Sequence, residues 1–141
     1  MTDIFGLAGH RALVVGGGYG SGRLTAKLLA EAGARVAVAD IDADRAEAVA
    51  SEIGGLAVVG DVTTPEGAAQ VVDKAHELLG GLTRLANIVG LVKMEPFIDN
   101  SSAHWRQQMD LNASMSTTMT ERFNVSGALL VKLFGDRKSV V

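Results

Sequence analysis

Four short apolar runs, each leading into a segment of helical spacing, restrict the kind of fold open to this chain. The runs are "ALVV" (Ala12 to Val15), "RVAVAD" (Arg35 to Asp40), "LAVVGDV" (Leu56 to Val62) and "LTRLANIVG" (Leu82 to Gly90). They are mostly unbroken apolar stretches rather than alternations, as in strands buried on both faces. The segment after the first run puts Leu24, Leu28, Leu29 and Ala32 on one face and stops at Gly33. The next places Ala43, Ala46, Val49, Ala50 and Ile53 at helical spacing before Gly54-Gly55. Thr63-Thr64-Pro65-Glu66 is a helix start, with a threonine cap and an early proline. Ala68, Val71, Val72, Ala75, Leu78 and Leu79 form the buried stripe of that helix. Strand and helix alternate with short connections, which predicts an α/β fold with a parallel sheet covered by helices on both faces.

Beyond Gly90 the pattern is weaker. Leu91 to Asn100 reads as a loop, and Ser101 or Ser102 can cap a helix carrying Trp105, Met109 and Asn112. Ser116 to Thr120 is poor in helix formers and Gly127 interrupts the residues after it, so Ser102 to Phe134 reads as one long or broken helix. Lys138 to Val141 reads as the beginning of a fifth strand. Met94, Met109, Met115 and Met119 are expected as core fillers, and Trp105 as a packing residue. The 141 residues suffice for one domain, 1–141, with a sizeable core.

The first connection, "VVGGGYGSG" (Val14 to Gly22), lies where a parallel sheet opens its ligand crevice. Glycines there admit positive φ and let backbone N–H groups approach phosphate oxygens at a helix N-terminus. A Walker loop is excluded, because Gly22 is followed by Arg23-Leu24 rather than by lysine and a hydroxyl residue. The common G-x-G-x-x-G/A pattern fails in each frame, ending on Ser21, Arg23 or Thr25. G-x-x-x-G-x-G fits, with Gly16, Gly20 and Gly22.

An acid that reads the nucleotide's ribose is expected about 20 residues on, at the end of the second strand. Asp40 stands there, and the residue after it is Ile41 rather than an arginine. A carboxylate accepts hydrogen bonds from ribose hydroxyls and repels a 2′-phosphate, so NAD is expected over NADP. The competing reading makes Asp40 a helix cap, although Asp42 is available for that work. Asp42, Asp44, Arg45 and Glu47 otherwise read as a solvated helix face.

These motifs resemble the classical short-chain dehydrogenase/reductase family. That family's T-G-x-x-x-G-x-G is matched from Val15 to Gly22, with Val15 in place of threonine. Its Asp-Val after the third strand is matched by Asp61-Val62, and its N-N-A-G by Asn87-Ile88-Val89-Gly90 with the first Asn and the Gly kept. Its Trp and Asn seven residues apart are matched by Trp105 and Asn112. The resemblance implies a Rossmann-type doubly wound sheet of order 3-2-1-4-5. It implies an NAD site lined by Gly16, Gly20, Gly22, Asp40, Asp61, Val62, Asn87 and Gly90, with Gly18, Tyr19, Ser21 and Ile41 beside them. Family chemistry is hydride transfer between a nicotinamide and an alcohol or ketone, and Asn112 would belong to that active site, unless it is a structural residue here.

The family's tyrosine and lysine, spaced Y-x-x-x-K, have no counterpart in this chain. The only tyrosine, Tyr19, is in the glycine loop, with Arg23 four residues on. General acid/base work needs the phenol beside the reacting atom, so Tyr19 is not expected to substitute. Ser139 is placed before the fifth strand's core, so the family's serine is also without a match. The chain is expected to be about half a family member, truncated after or within the fifth strand, and inactive alone. Two functions are open: the nucleotide-binding half of an oxidoreductase, or a non-catalytic NAD-binding or oligomer-scaffold module. Loss of the remaining strands would expose an edge and apolar surface on the fourth helix, so homo-oligomers or marginal stability are expected.

Other classes are disfavoured by composition. A net charge of −3 gives no reason to expect nucleic acid or an anionic membrane, and the absence of cysteine excludes disulfides and thiolate metal sites. His10, His76 and His104 lack metal spacing. "MTDIFGLAGHR" is not a signal peptide and no apolar run spans a bilayer, so a soluble cytoplasmic protein is expected.

Overall fold

The structure, a computed structural model, describes residues 3–90, 94, 96–124 and 129–131. Five strands form one parallel sheet in the order β3-β2-β1-β4-β5. They are β1 (Arg11–Val15), β2 (Arg35–Asp40), β3 (Leu56–Val59), β4 (Arg84–Asn87) and β5 (Leu129–Val131). Four helices connect them: α1 (Gly20–Glu31), α2 (Ala43–Ile53), α3 (Pro65–Leu79) and α4 (Ser102–Asn124). This is the Rossmann-type order that the sequence motifs imply.

The central strands bury both faces. On one side Leu13, Val15, Ala37, Ala39 and Leu85 meet α3 through Val71, Val72 and Ala75, and α4 through Met115, Met119 and Phe123. On the other side Ala12, Val14, Val36 and Val38 meet α1 through Ala26 and α2 through Val49 and Ala50. Local signals start the helices as read. Thr64 Oγ1 accepts from Gly67 N at 3.1 Å, Asp42 Oδ1 from Arg45 N at 3.1 Å, and Ser101 Oγ from His104 N at 3.1 Å. At the opposite end of the sheet, Arg11 Nε donates to the Gly81 carbonyl and Arg35 Nη1 to that of Leu79, closing the negative end of α3 with cations.

Several expectations are corrected. Leu78, read into the buried stripe of α3, is exposed. Leu24 and Leu28 do not form the buried face of α1; they are exposed, and Gly22 and Ala26 are buried instead. Small residues bring α1 closer to the sheet than leucines would allow. The fifth strand is Leu129–Val131, not Lys138 to Val141, and the long helix ends at Asn124 rather than running to Phe134. Lys138 to Val141 lie outside the described residues, as does Ser139, which follows β5 rather than preceding it. Met115 and Met119 are core residues as expected, but Met94, Met109 and Trp105 are exposed, Trp105 by 63%. Ser116 to Thr120, poor in helix formers, is nevertheless helical, because Met115, Met119 and Phe123 bury a stripe against α3 and the sheet.

Candidate functional site

The site is built on the turn between β1 and α1. Gly16 has φ +78°, and the N–H groups of Gly16 and Gly17 both donate to the Ala39 carbonyl, at 2.8 and 3.0 Å. That ties the turn to the end of β2. Side chains are barred from it. A Cβ on Gly17 would lie 2.8 Å from Val38 Cγ1, and one on Gly18 would lie 2.6 Å from Asp40 Oδ2. A Cβ on Gly22 would overlap the Gly16 carbonyl oxygen. Gly20 differs: its φ is +54° and nothing of the protein lies within 4 Å of where its Cβ would be. The loop therefore has a crowded inner side and an open outer side. Gly17 was missed by spacing, although its place in an unbroken run of three glycines was the available signal.

The loop opens onto the first turn of α1. Tyr19 is the N-cap residue, yet its side chain makes no capping hydrogen bond. The leading N–H groups of a helix have no partner within it, so this end keeps donors and a positive dipole end for an anion. Tyr19 is 74% exposed, and its ring lies beneath the Arg45 guanidinium, 5.3 Å from centroid to Cζ.

Asp40 closes the floor. Its Oδ2 accepts from Gly18 N at 3.0 Å and its Oδ1 from Asp42 N at 3.1 Å. Each oxygen keeps a lone pair for a further donor. Asp42, not Asp40, caps α2, which removes the competing reading of Asp40 as the cap. The solvated-face reading holds, with Asp44, Arg45 and Glu47 exposed, while Asp42 also caps the helix and Arg45 lies over the ring of Tyr19.

Beside Asp40, a cavity of about 150 Å³ is lined by Val15, Gly16, Ala39, Asp40, Ile41, Gly60, Asp61, Val62, Thr63 and Val89. It is mostly apolar, with Val62 buried and Ile41 at the exposed rim. Asp61 Oδ1 accepts from the Thr63 hydroxyl at 2.6 Å and from Thr63 N at 2.9 Å. Those two bonds, the hydroxyl first, hold the Asp61 carboxyl below its ordinary value, so it stands ionised. A cavity this small suits one ring system rather than a whole dinucleotide, since ordinary ligand clefts run to roughly 300–1,000 Å³. Roomier hollows lie elsewhere among the described residues, about 580 Å³ along α4, about 830 Å³ beside Ile4, Phe5 and Leu28, and about 260 Å³ between Lys27 and Glu52. None of them includes a residue of the glycine loop, so volume alone does not mark the site.

At the far end of the crevice, Asn87 Oδ1 accepts from Val89 N at 3.1 Å, shaping the chain as it leaves β4. Asn112 comes to the same place from α4. A Cβ on Gly90 would lie 3.7 Å from Asn112 Oδ1. Asn112 Nδ2 donates to the Gln108 carbonyl at 2.8 Å. Gly16 to Gly22, Asp40, Asp61 and Asn87 thus converge at the carboxyl ends of four strands. Among the described residues, no group of three or more His, Asp and Glu could hold a metal ion, and no helix is long and apolar enough to cross a membrane.

The family model described as short chain dehydrogenase matches residues 10–127. A 2,5-dichloro-2,5-cyclohexadiene-1,4-diol dehydrogenase of Sphingobium indicum is 36% identical over 111 residues, covering 75% of this chain and 44% of that protein. An NADP-dependent (R)-specific alcohol dehydrogenase of Lentilactobacillus kefiri is 31% identical over 116 residues, covering 79% of this chain and 45% of that protein. Among solved structures, a short-chain type dehydrogenase/reductase from Mycobacterium marinum superposes with a TM-score of 0.81 at 30% identity, over 94% of this chain and 59% of that one. A short chain dehydrogenase from Burkholderia cenocepacia in complex with NADP gives 0.79 at 30% identity, over 89% of this chain and 55% of that one. The chain spans about half the length of these relatives. It belongs to the short chain dehydrogenase family.

Proposed function

With family membership as the premise, we propose that this chain is the nucleotide-binding part of an NAD(P)-dependent oxidoreductase, and that NAD is its preferred cofactor. The observation that carries this reading is the pairing of an uncapped α1 N-terminus with an ionisable Asp40 pinned against the same glycine loop. The residues fit the adenosine diphosphate end of the cofactor. The open side of Gly20, with Ser21 and Gly22 behind it, would take the diphosphate. Asp40 would accept from the ribose hydroxyls, and the cavity between Ile41, Asp61 and Val62 would take the adenine. Bound there, the cofactor would supply a hydride acceptor or donor at its nicotinamide ring, for which Asn87, Gly90 and Asn112 are the neighbours implied by the family pattern.

Asp40 supports NAD through the cost of placing a phosphate dianion beside a fixed carboxylate. Its bonds to Gly18 N and Asp42 N keep it from turning away. Two of the relatives carry NADP in their descriptions, so the preference is a property to be measured on this chain. Its substrate, on the family's chemistry, would be an alcohol or ketone, in a cytoplasmic setting.

A second reading is a nucleotide-binding module without turnover. One observation favours it: the sole tyrosine is at the α1 N-terminus under Arg45, where it would face the diphosphate end of a cofactor bound as proposed. Exposed Trp105 and Met109 on α4 support self-association in either case; sedimentation that stays monomeric as concentration rises would count against it. Titrating the 141-residue chain into NADH tests the common core of both readings. Saturable enhancement of the cofactor's fluorescence, reversed by ADP, is expected. Enhancement that ADP leaves untouched would place the cofactor elsewhere. Oxidation of an alcohol by the purified chain would refute the assignment of Tyr19 to the diphosphate end.

A further inference from the structure

We propose that the hollow between the N-terminal turn and the outer face of α1 docks a basic, amphipathic helix of a partner protein. This surface is at the end of α1 remote from the glycine loop, and it does not depend on the nucleotide-binding reading.

The hollow, about 830 Å³, is lined by Asp3, Ile4 and Phe5 from the turn and by Leu28 and Glu31 from α1. Its apolar walls face water. Ile4 is 76% exposed, Phe5 70% and Leu28 55%, and Leu24, one turn before Leu28 on the same face of α1, is exposed as well. The turn that presents Ile4 and Phe5 is closed by its own hydrogen bonds. Asp3 accepts at Oδ1 from Leu7 N at 2.9 Å and at Oδ2 from Ala8 N at 3.0 Å. Those bonds, that of Ala8 first, hold the Asp3 carboxyl below its ordinary value, so it stands ionised.

Charge at this end of α1 is unbalanced. Glu31 stands in the last turn, where the helix dipole favours a cation, and that turn has no basic residue. Lys27, one turn earlier, is spaced to pair with Glu31, yet its Nζ donates to Glu52 Oε1 at 3.1 Å. Among the described residues Glu31 has no ion pair, and no cation lines the hollow. The C-terminus of α3 differs, since Arg11 and Arg35 close it.

This combination selects the occupant. A small ligand is held by enclosure, and walls more than half exposed do not enclose one. A second copy would set its own Asp3 and Glu31 against these, like charge on like. A partner helix brings the missing apolar area, laying residues one turn apart against Ile4, Phe5, Leu24 and Leu28. Lysines or arginines flanking that stripe meet Asp3, Glu31 and the negative end of α1.

Fluorescence anisotropy of a labelled amphipathic peptide of leucines and lysines, titrated with the whole 141-residue chain, tests this. Saturable binding is expected, and the same peptide with glutamate for lysine should not bind. Phe5→Ser and Leu28→Ser should each weaken binding about tenfold, as for an apolar anchor. Glu31→Gln should weaken it about threefold, as for an exposed ion pair, with the effect fading in high salt. The same variant should melt no lower than the parent, because it removes an acid from the negative end of a helix. Weaker binding at undiminished stability separates docking from folding. Binding that all three substitutions leave unchanged, equal binding of the glutamate peptide, or no saturable binding of the lysine peptide would overturn the proposal.

Discussion

Gly22→Ala is the substitution whose cost is most directly set by the geometry of the loop. A methyl group there would overlap the Gly16 carbonyl oxygen and lie 2.7 Å from the Gly16 carbonyl carbon and 3.1 Å from Gly17 Cα. All three neighbours are backbone, so no side chain can turn aside. The Gly16–Gly17 segment is in turn tied to the Ala39 carbonyl by two hydrogen bonds. Relief therefore means moving α1 off the turn. Overpacking costs about 1–3 kcal/mol, and a backbone obstacle puts Gly22→Ala at the upper end. At about 3 °C per kcal/mol for a domain of this size, the melting temperature should fall by about 6–9 °C. Gly20→Ala is the control. Its methyl meets nothing within 4 Å, and it bears only the strain of φ +54°, about 1 kcal/mol. It should melt only about 3 °C lower and still lose NADH affinity, because the methyl stands on the open side. Thermal denaturation followed by circular dichroism, with NADH titration of each variant, separates the two effects. A Gly22→Ala protein that melts with the parent, or below it by no more than Gly20→Ala, would refute the close approach of α1 to the turn.

Three further perturbations probe the packing. Phe123 is fully buried between α3 and the sheet, so Phe123→Ala should cost about 3–5 kcal/mol in urea unfolding; a loss under about 1 kcal/mol would mean that α4 is not seated there. Asp73 and Arg122 join α3 to α4 through two bonds of 2.6 Å, and the guanidinium holds the Asp73 carboxyl below its ordinary value of 3.8. A lowered folded-state value means stabilisation that is present at neutral pH and lost as pH falls below that range. Asp73→Asn should therefore lower the melting temperature slightly at neutral pH, less in high salt because both side chains are half exposed, and not at all in strong acid; a gap that widens on acidification would contradict the sign. Thr64→Ala removes the oxygen that receives Gly67 N and should destabilise by about 1 kcal/mol in the same urea assay, whereas Thr64→Ser should not.

Much of the fold was legible because its causes are local. β2 and α2 were read to the residue, and the caps on α2 and α3 follow from Asp42 and Thr64-Pro65 standing where a helix must begin. The buried face of α1 was not, because apolar size suggested Leu24 and Leu28 while close approach to the sheet selects Gly22 and Ala26. "LLV" at Leu129–Val131 is too short to distinguish a helical from a strand period, so Gly127 read as a break within a helix, though it lies between α4 and β5. In the candidate site, the place of Asp40 against the glycine loop was legible from its distance from the glycines. Gly17 and Arg45 were not, since the contacts that matter to them, Val38 for one and Tyr19 for the other, come from elements apart in sequence.

The central claim is that the β1–α1 loop and the cavity beside Asp40 hold the cofactor. Amide hydrogen exchange with and without saturating NAD tests it residue by residue. Slower exchange is predicted at Gly20 to Gly22, where the α1 donors would meet the diphosphate, and at Asp61 to Thr63 beside the adenine. Protection confined to the hollow around Phe5 and Leu28, or to the α4 groove, would contradict it.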